Sequence, residues 1–149
     1  MSSRSITDCV VKLQEVWPLI QADFERTFPG WQLELDCTHR PPEEQFTLFK
    51  QGRAWNATSQ IWEVTAPKEL VTNCDGKNTV SRHNLYPSQA FDIRMRTPQR
   101  DLTWKYKSAD GTVLPQWAVL TTLAEKYGII NGGSFRSILD YPHFETKGV

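Results

Sequence analysis

The sequence lacks a long apolar run. No stretch approaches the roughly 18 consecutive apolar residues that a membrane-spanning helix requires, so we expect no membrane insertion. The N-terminal segment is interrupted by Asp8, Lys12 and Glu15, and therefore does not have the apolar core of a signal peptide. We accordingly expect a protein that is made in the cytoplasm without a signal peptide.

The sequence also lacks an excess of charge and a paired-cysteine motif. The 17 lysines and arginines equal the 17 aspartates and glutamates, so the formal net charge is zero. A broad positive field, typical of nucleic-acid-binding proteins, is therefore not expected, and we predict no nucleic-acid partner. Cys9, Cys37 and Cys74 are odd in number and have no Cys-x-x-Cys spacing, which favours reduced thiols over a disulfide framework.

What the chain does have is material for one core. Hydrophobic residues make up 39% of the sequence, and six of the residues are tryptophans. This composition argues against disorder. A length of 149 residues favours a single domain over residues 1–149. We expect it to be monomeric.

Apolar residues at steps of three and four predict three helices. The first covers residues 5–28, with Ser5 or Thr7 as its N-cap, Gly30 beyond its end and a kink or break at Pro18. The second lies in "RPPEEQFTLFKQGR", with Phe46 and Phe49 facing inward. The third is "PQWAVLTTLAEKYG", which ends at a glycine.

Alternation of apolar and polar residues predicts strands in "WQLELDCT", in "SQAFDIRMR" and around His143. Turn-forming residues predict a long, partly irregular loop over residues 54–80, and residues 97–114 resemble a loop with a short hairpin. The order of these elements predicts an α+β domain with a small antiparallel sheet.

One group of residues suggests metal chemistry. The alternation that places Phe91 and Ile93 on the core face directs Asp92 to the other face. His83 lies upstream across a proline-containing loop, and His143 lies in "DYPHFE" near the C-terminus. Two histidines and one carboxylate form a recurring ligand set for catalytic zinc, which leaves one position for water.

The spacing also admits simpler readings. A spacing of nine positions from His83 to Asp92 is not specific to zinc, and His143 is compatible with a structural or surface histidine. Cys37 and His39 share a strand face and could form a nucleophilic pair, although Cys37 continues the apolar face and fits the core better. Glu145 shares a face with His143, so spacing does not choose between Asp140 and Glu145 as general base. Glu145 could instead orient a zinc histidine.

The sequence resembles the zinc-dependent peptidoglycan peptidases of the D-alanyl-D-alanine carboxypeptidase clan, specifically the phage-type L-alanyl-D-glutamate endopeptidases. The resemblance covers roughly residues 36–145. It rests on the Ser-x-His and Ala-x-Asp segments around His83 and Asp92, and on the acid-x-x-His segment that ends at His143. "HRPPEEQFTLFKQGR" is similar to the family's Arg-x-x-x-x-Gln…Gln-Gly-Arg segment. The His-to-Asp spacing is nine rather than the commoner seven, and Phe135 stands where tryptophan is frequent.

The resemblance implies a zinc D,D-peptidase/Hedgehog-like fold and a zinc cofactor (Zn2+). The ligands that it implies are His83, Asp92 and His143. It also implies that Asp140 is the general base and that Arg40 acts at the substrate carbonyl or at a substrate carboxylate. Ser81 and Gln45 would line the substrate groove.

The function that the resemblance implies is cleavage of the L-Ala–D-Glu bond in bacterial peptidoglycan by a phage or prophage endolysin. Such an enzyme would consist of one peptidase domain without a separate cell-wall-binding module. It would be made in the host cytoplasm and act on the cell wall after release. Two alternatives stay open at this point: a D,D- or L,D-carboxypeptidase, and a zinc-stabilised domain that binds without turnover.

Overall fold

A computed structural model describes residues 1–148, which form an α+β domain, as the sequence predicts. The described residues fold into three α-helices, a five-stranded antiparallel sheet and a separate two-stranded hairpin. The helices are α1 (Val11–Thr27), α2 (Pro42–Phe49) and α3 (Pro115–Lys126), and the strands are β1 (Gln32–Cys37), β2 (Arg53–Asn56), β3 (Ile61–Val64), β4 (Ala90–Arg96), β5 (Leu102–Thr103), β6 (Ile129–Gly132) and β7 (Asp140–Thr146). No helix within residues 1–148 has the length and apolar composition needed to cross a membrane.

The sheet has the strand order β1-β4-β7-β6, and the short β5 pairs with the end of β4. In the β4–β7 pair, Asp92 lies directly opposite His143, and Ala90 lies opposite Glu145. Directly opposed residues of an antiparallel pair project to the same face. Asp92 and His143 are therefore presented side by side, although 51 positions of sequence separate them.

The core lies between one face of this sheet and helices α1 and α3. Phe91, Ile93 and Met95 of β4 are fully buried, as their alternation with polar residues predicts. They pack with Phe24 of α1 and Trp117 of α3 in a single cluster. The helices thus cover the inner face, and the opposite face of the sheet remains open for polar side chains.

Helix α1 begins six residues later than the sequence predicts. The chain just before it pairs with Ser88, because Val10 N–H donates to the Ser88 carbonyl and Ser88 N–H donates to the Asp8 carbonyl. These contacts keep Ser5 and Thr7 out of the helix, and Val10 is the N-cap instead. Pro18 does not split the helix. It lies on the solvent side, where water can bond to the carbonyl that the missing N–H leaves free.

Two further predictions are wrong in part. Residues 54–80 include the β2–β3 hairpin, in which Trp55 lies opposite Trp62, so only part of this segment is irregular. In α2 the buried residue is Gln45, whereas Phe46 and Phe49 are half-buried and lie outside the main core. The Phe46 ring instead packs edge-on against Trp62, 5.7 Å between centroids.

Candidate metal centre

A cleft of about 590 Å3 opens on the outer face of the sheet, where β4 and β7 lie side by side. It is bounded by α2, by the segment before β4 and by the loop between β6 and β7. All seven residues that the sequence analysis names as site residues line it: Arg40, Gln45, Ser81, His83, Asp92, Asp140 and His143. The fold therefore brings together positions that are spread over most of the chain.

His83 is placed by a short 3-10 turn, Arg82–Asn84. The Ser81 hydroxyl accepts a hydrogen bond from His83 N–H, and the Asn84 side chain accepts one from Ser81 N–H, which forms a capping box. The His83 carbonyl also accepts from Arg40 N–H at 2.8 Å. His83 is thereby fixed between the end of β1 and the start of β4, with 2% of its surface exposed.

Three side-chain atoms meet in a nearly equilateral triangle. His83 Nε2 lies 3.0 Å from Asp92 Oδ1 and 3.2 Å from His143 Nδ1, and His143 Nδ1 lies 3.1 Å from Asp92 Oδ1. Each of these atoms comes from a different part of the chain, so local sequence does not force them together.

The hydrogen bonds behind the triangle assign the proton on each ring. His83 Nδ1 lies 2.7 Å from the Thr38 carbonyl, which can only accept, so Nδ1 carries the hydrogen and Nε2 has a free lone pair. His143 Nε2 lies 2.9 Å from a Glu145 carboxylate oxygen, so Nδ1 has the lone pair in that ring. With both rings neutral, three lone pairs point at one another, and either a metal cation or added protons would relieve their repulsion.

The donor set fits zinc. Tetrahedral zinc with nitrogen and oxygen ligands at about 2.0–2.1 Å places those ligand atoms about 3.3 Å apart, close to the 3.0–3.2 Å edges of the triangle. Each ligand is also held from behind. Thr38 and Glu145 hold the two imidazoles, and Arg40 Nη2 lies 3.2 Å from the second Asp92 oxygen. His83, Asp92 and His143 could therefore bind a metal without rearrangement.

Cys37 offers a second group of metal-binding atoms with His83 and Asp92, but it fits less well. Its sulfur lies 3.9 Å from His83 Nδ1, the nitrogen that donates to Thr38, rather than from the nitrogen in the triangle. Arg40 also donates to this sulfur at 3.5 Å. Cys37 therefore lies behind the His83 ring. His39, the other residue of the possible nucleophilic pair, packs edge-on against Tyr86.

The electrostatics of the triangle favour bound positive charge. Burial opposes a charged His83, but the Asp92 carboxylate outweighs it and raises the pKa of His83 to about 10. Burial likewise opposes charge on His143, while hydrogen bonds to Asp92 and Glu145 raise its pKa. Burial would raise the pKa of Asp92, yet the two histidines hold it well below its ordinary value. The field that retains protons here would also stabilise a metal cation.

Asp140 differs from the other carboxylates of the cleft. Burial, followed by repulsion from the Asp92 charge, raises the pKa of Asp140. One of its carboxylate oxygens lies within 4.8 Å of ligand atoms of Asp92 and His143. Asp140 therefore lies beside the triangle, and its surroundings hold its carboxyl group toward the neutral form.

Arg40 and Gln45 form one wall of the cleft. Arg40 Nη1 donates to Gln45 Oε1 at 3.0 Å, while Arg40 Nη2 donates to Asp92. The Gln45 amide nitrogen donates to the Thr72 hydroxyl and to the Cys74 carbonyl. Gln45, 1% exposed, thus ties the Arg40 guanidinium to the loop on the far side of the cleft.

Two residues that the sequence does not assign to the metal centre, Thr38 and Arg82, complete it. The Thr38 carbonyl accepts the hydrogen bond from His83 Nδ1. Arg82 Nε lies 2.8 Å from Glu145 Oε2. Glu145 had two open roles, and its bond to His143 corresponds to the orienting one. A carbonyl contact such as that of Thr38 leaves no sequence signal, because any residue could supply it.

No protein-family model matches the chain. Among solved structures, the fold is similar to that of the L-Ala D-Glu endopeptidase ChiX from Serratia marcescens, with a TM-score of 0.48 and 14% sequence identity. The alignment covers 98% of this chain and 91% of that protein. A likeness this distant carries no inference about activity.

Proposed function

We propose that this protein is a zinc-dependent peptidoglycan endopeptidase that cleaves the L-Ala–D-Glu bond of the stem peptide, as an endolysin of a phage or prophage. The proposal includes a zinc D,D-peptidase/Hedgehog-like fold. One observation carries it: three lone pairs from His83, Asp92 and His143 converge in an open cleft, beside a carboxylate whose pKa is raised.

In this proposal zinc is held by His83 Nε2, His143 Nδ1 and Asp92. When bound, zinc would act as a Lewis acid toward the scissile carbonyl and lower the pKa of a water molecule. Asp140 accepts the proton of the attacking water and later donates it to the leaving amine. A raised pKa suits both steps, because the best general acid-base groups titrate near the working pH.

Arg40 stabilises the negative charge that develops on the substrate. The Arg40 side chain is 15% exposed, and its guanidinium is fixed by Gln45 and Asp92, so its remaining N–H groups are oriented before substrate arrives. Donors that are already oriented lower the energy of a developing oxyanion without reorganisation during the reaction. Ser81 and Gln45 remain candidates for substrate contact, although the bonds of Gln45 favour a role in holding Arg40.

The charge of the cleft suits a peptide rich in carboxylates. With both histidines neutral and the carboxylates ionised, two arginines, Arg40 and Arg82, face three carboxylates, Asp92, Asp140 and Glu145, which leaves one net negative charge. A divalent cation would reverse this to one net positive charge. Stem peptides of peptidoglycan contain free carboxylates, which such a cleft would attract.

The test is digestion of purified peptidoglycan with the zinc-loaded protein, followed by mass spectrometry of the soluble products. The proposal predicts fragments with a new C-terminal L-Ala and a new N-terminal D-Glu, and no such products from His83→Ala. Release of free D-Ala with intact L-Ala–D-Glu bonds would instead identify a carboxypeptidase. Zinc binding without any cleavage would indicate a non-catalytic domain.

A further inference from the structure

The positions of Asp140 and His143 conflict with regular strand geometry. Side chains alternate along a strand, so residues three apart project to opposite faces. Both residues belong to β7 and both nevertheless line the cleft. A distortion of β7 between Asp140 and His143 must therefore interrupt the alternation of side chains.

The change is a bulge in β7. Along β6, Asn131 pairs with Phe144 and the next residue, Gly132, pairs with Asp140. β6 thus advances by one residue while β7 advances by four, and residues 141–143 bulge out of the β6–β7 ladder. A bulge re-aims side chains in this way. Close approach of the strands requires glycine here, because a Cβ on Gly132 would lie 2.1 Å from the Asp140 carbonyl oxygen.

Asn131 holds the bulge. Its amide nitrogen donates to the Tyr141 carbonyl at 2.8 Å and to the His143 carbonyl at 3.0 Å. Its amide oxygen accepts from Gly133 N–H at 3.0 Å and from the Thr121 hydroxyl at 3.1 Å. Asn131 is 1% exposed, so these four bonds satisfy the whole amide in a buried position.

We propose that Asn131 is a positioning residue for the general base. By binding two carbonyls of the bulge, it sets where the Asp140 carboxylate lies relative to His83, Asp92 and His143. The inference rests on the proposed function, since it assigns Asn131 a role in the reaction that Asp140 would perform. Asn131 acts through the backbone of residues 141–143 and does not touch the substrate.

Two variants remove the two N–H donors of the Asn131 amide. Asn131→Asp keeps the size and the acceptor side of the amide but loses both N–H groups, and Asn131→Ser avoids a buried charge if the first variant fails to fold. Thr121→Val is the matched control, because it removes a bond to the Asn131 oxygen and leaves both bulge contacts intact. A displacement of about 1 Å at a catalytic group can cost about 100-fold in rate.

We expect kcat on a soluble disaccharide-peptide to fall about 100-fold in the Asn131 variants, with KM within threefold of wild type and one zinc still bound per chain. Thr121→Val should stay within threefold of wild type. In an Asp140→Asn background, replacing Asn131 should change the residual rate less than threefold. An equal fold-loss in both backgrounds would show that Asn131 serves only the fold, and an unchanged kcat would also overturn the inference.

A crystal structure of Asn131→Ser gives a readout that does not depend on activity. The inference predicts that residues 141–143 shift and that the Asp140 carboxylate moves away from Asp92 and His143. An Asp140 carboxylate in its original place would overturn the inference even if the wild type proved inactive. An inactive wild type with a displaced Asp140 would instead contradict the proposed function alone.

Discussion

The contact between Glu145 and His143 allows a direct test of the metal centre. Glu145 Oε1 lies 2.9 Å from His143 Nε2, and Glu145 Oε2 lies 2.8 Å from Arg82 Nε. Both oxygens therefore act as acceptors. Glu145→Gln keeps the shape of the side chain but replaces one acceptor with a donor.

Neither orientation of the new amide satisfies both neighbours while leaving His143 Nδ1 free to bind a metal. If its oxygen faces His143, its NH2 group faces the Arg82 guanidinium, donor against donor. If its NH2 group faces His143, the imidazole must carry its proton on Nδ1, the nitrogen that would bind the metal. Loss of such a supporting contact typically costs about 10–100-fold in metal affinity, which is about 1.4–2.7 kcal/mol of binding free energy.

The assay is competition for zinc against a chromophoric chelator at fixed pH. Glu145→Gln should bind zinc about 10–100-fold more weakly than wild type. Glu125→Gln, on the exposed side of α3, is the control and should bind like wild type. Arg82→Met leaves both Glu145 oxygens in place and should cause a smaller loss. A Glu145→Gln affinity within twofold of wild type would show that His143 does not depend on Glu145 for its tautomer.

Three further outcomes follow from the structure. Asp140→Asn should bind zinc within a few-fold of wild type while kcat falls about 10²–10⁴-fold; a matching loss of zinc would make Asp140 a ligand instead. The pKa of His83, raised to about 10, keeps a second proton on its ring in the metal-free site at pH 7, so zinc must displace that proton. Calorimetry in buffers of different ionisation enthalpy should detect that release, with affinity rising with pH, whereas buffer-independent heats would contradict it. Hydrogen bonds from Lys126, Tyr127 and Arg26 lower the pKa of Asp23 to about 2. The stabilisation of the fold by the ionised Asp23 carboxylate is therefore present above pH 4 and is lost as the pH falls toward 2. Thermal melts of Asp23→Asn should show lower stability at pH 7 and a smaller loss between pH 4 and 2; parallel curves for mutant and wild type would contradict this.

Local patterns in the sequence predict the parts of the fold that local physics decides. The alternation in β4 correctly directs Phe91, Ile93 and Met95 into the core and Asp92 away from it. The start of α1 is predicted wrongly because a tertiary pairing with Ser88 replaces the local cap. The β2–β3 hairpin is missed because turn-forming residues surround strands of only four residues.

The candidate site depends on pairings that periodicity does not reveal. Only the β4–β7 register shows that Asp92 lies beside His143. Regular alternation would place Asp140 and His143 on opposite faces, so the bulge beside Asn131 could not be inferred from spacing. The family resemblance, which rests on the order of the motifs, predicts these residues. The physical reason that their side chains lie close together is a set of long-range contacts.

In the proposed metal site, His83, Asp92 and His143 bind one zinc ion through the atoms that form the triangle. The most direct measurement is an anomalous difference map, collected at the zinc absorption edge, from crystals grown with zinc. We expect one peak per chain, bonded to His83 Nε2, His143 Nδ1 and an Asp92 oxygen. A peak bonded to Cys37 Sγ and His83 Nδ1, or no peak in the cleft, would contradict it.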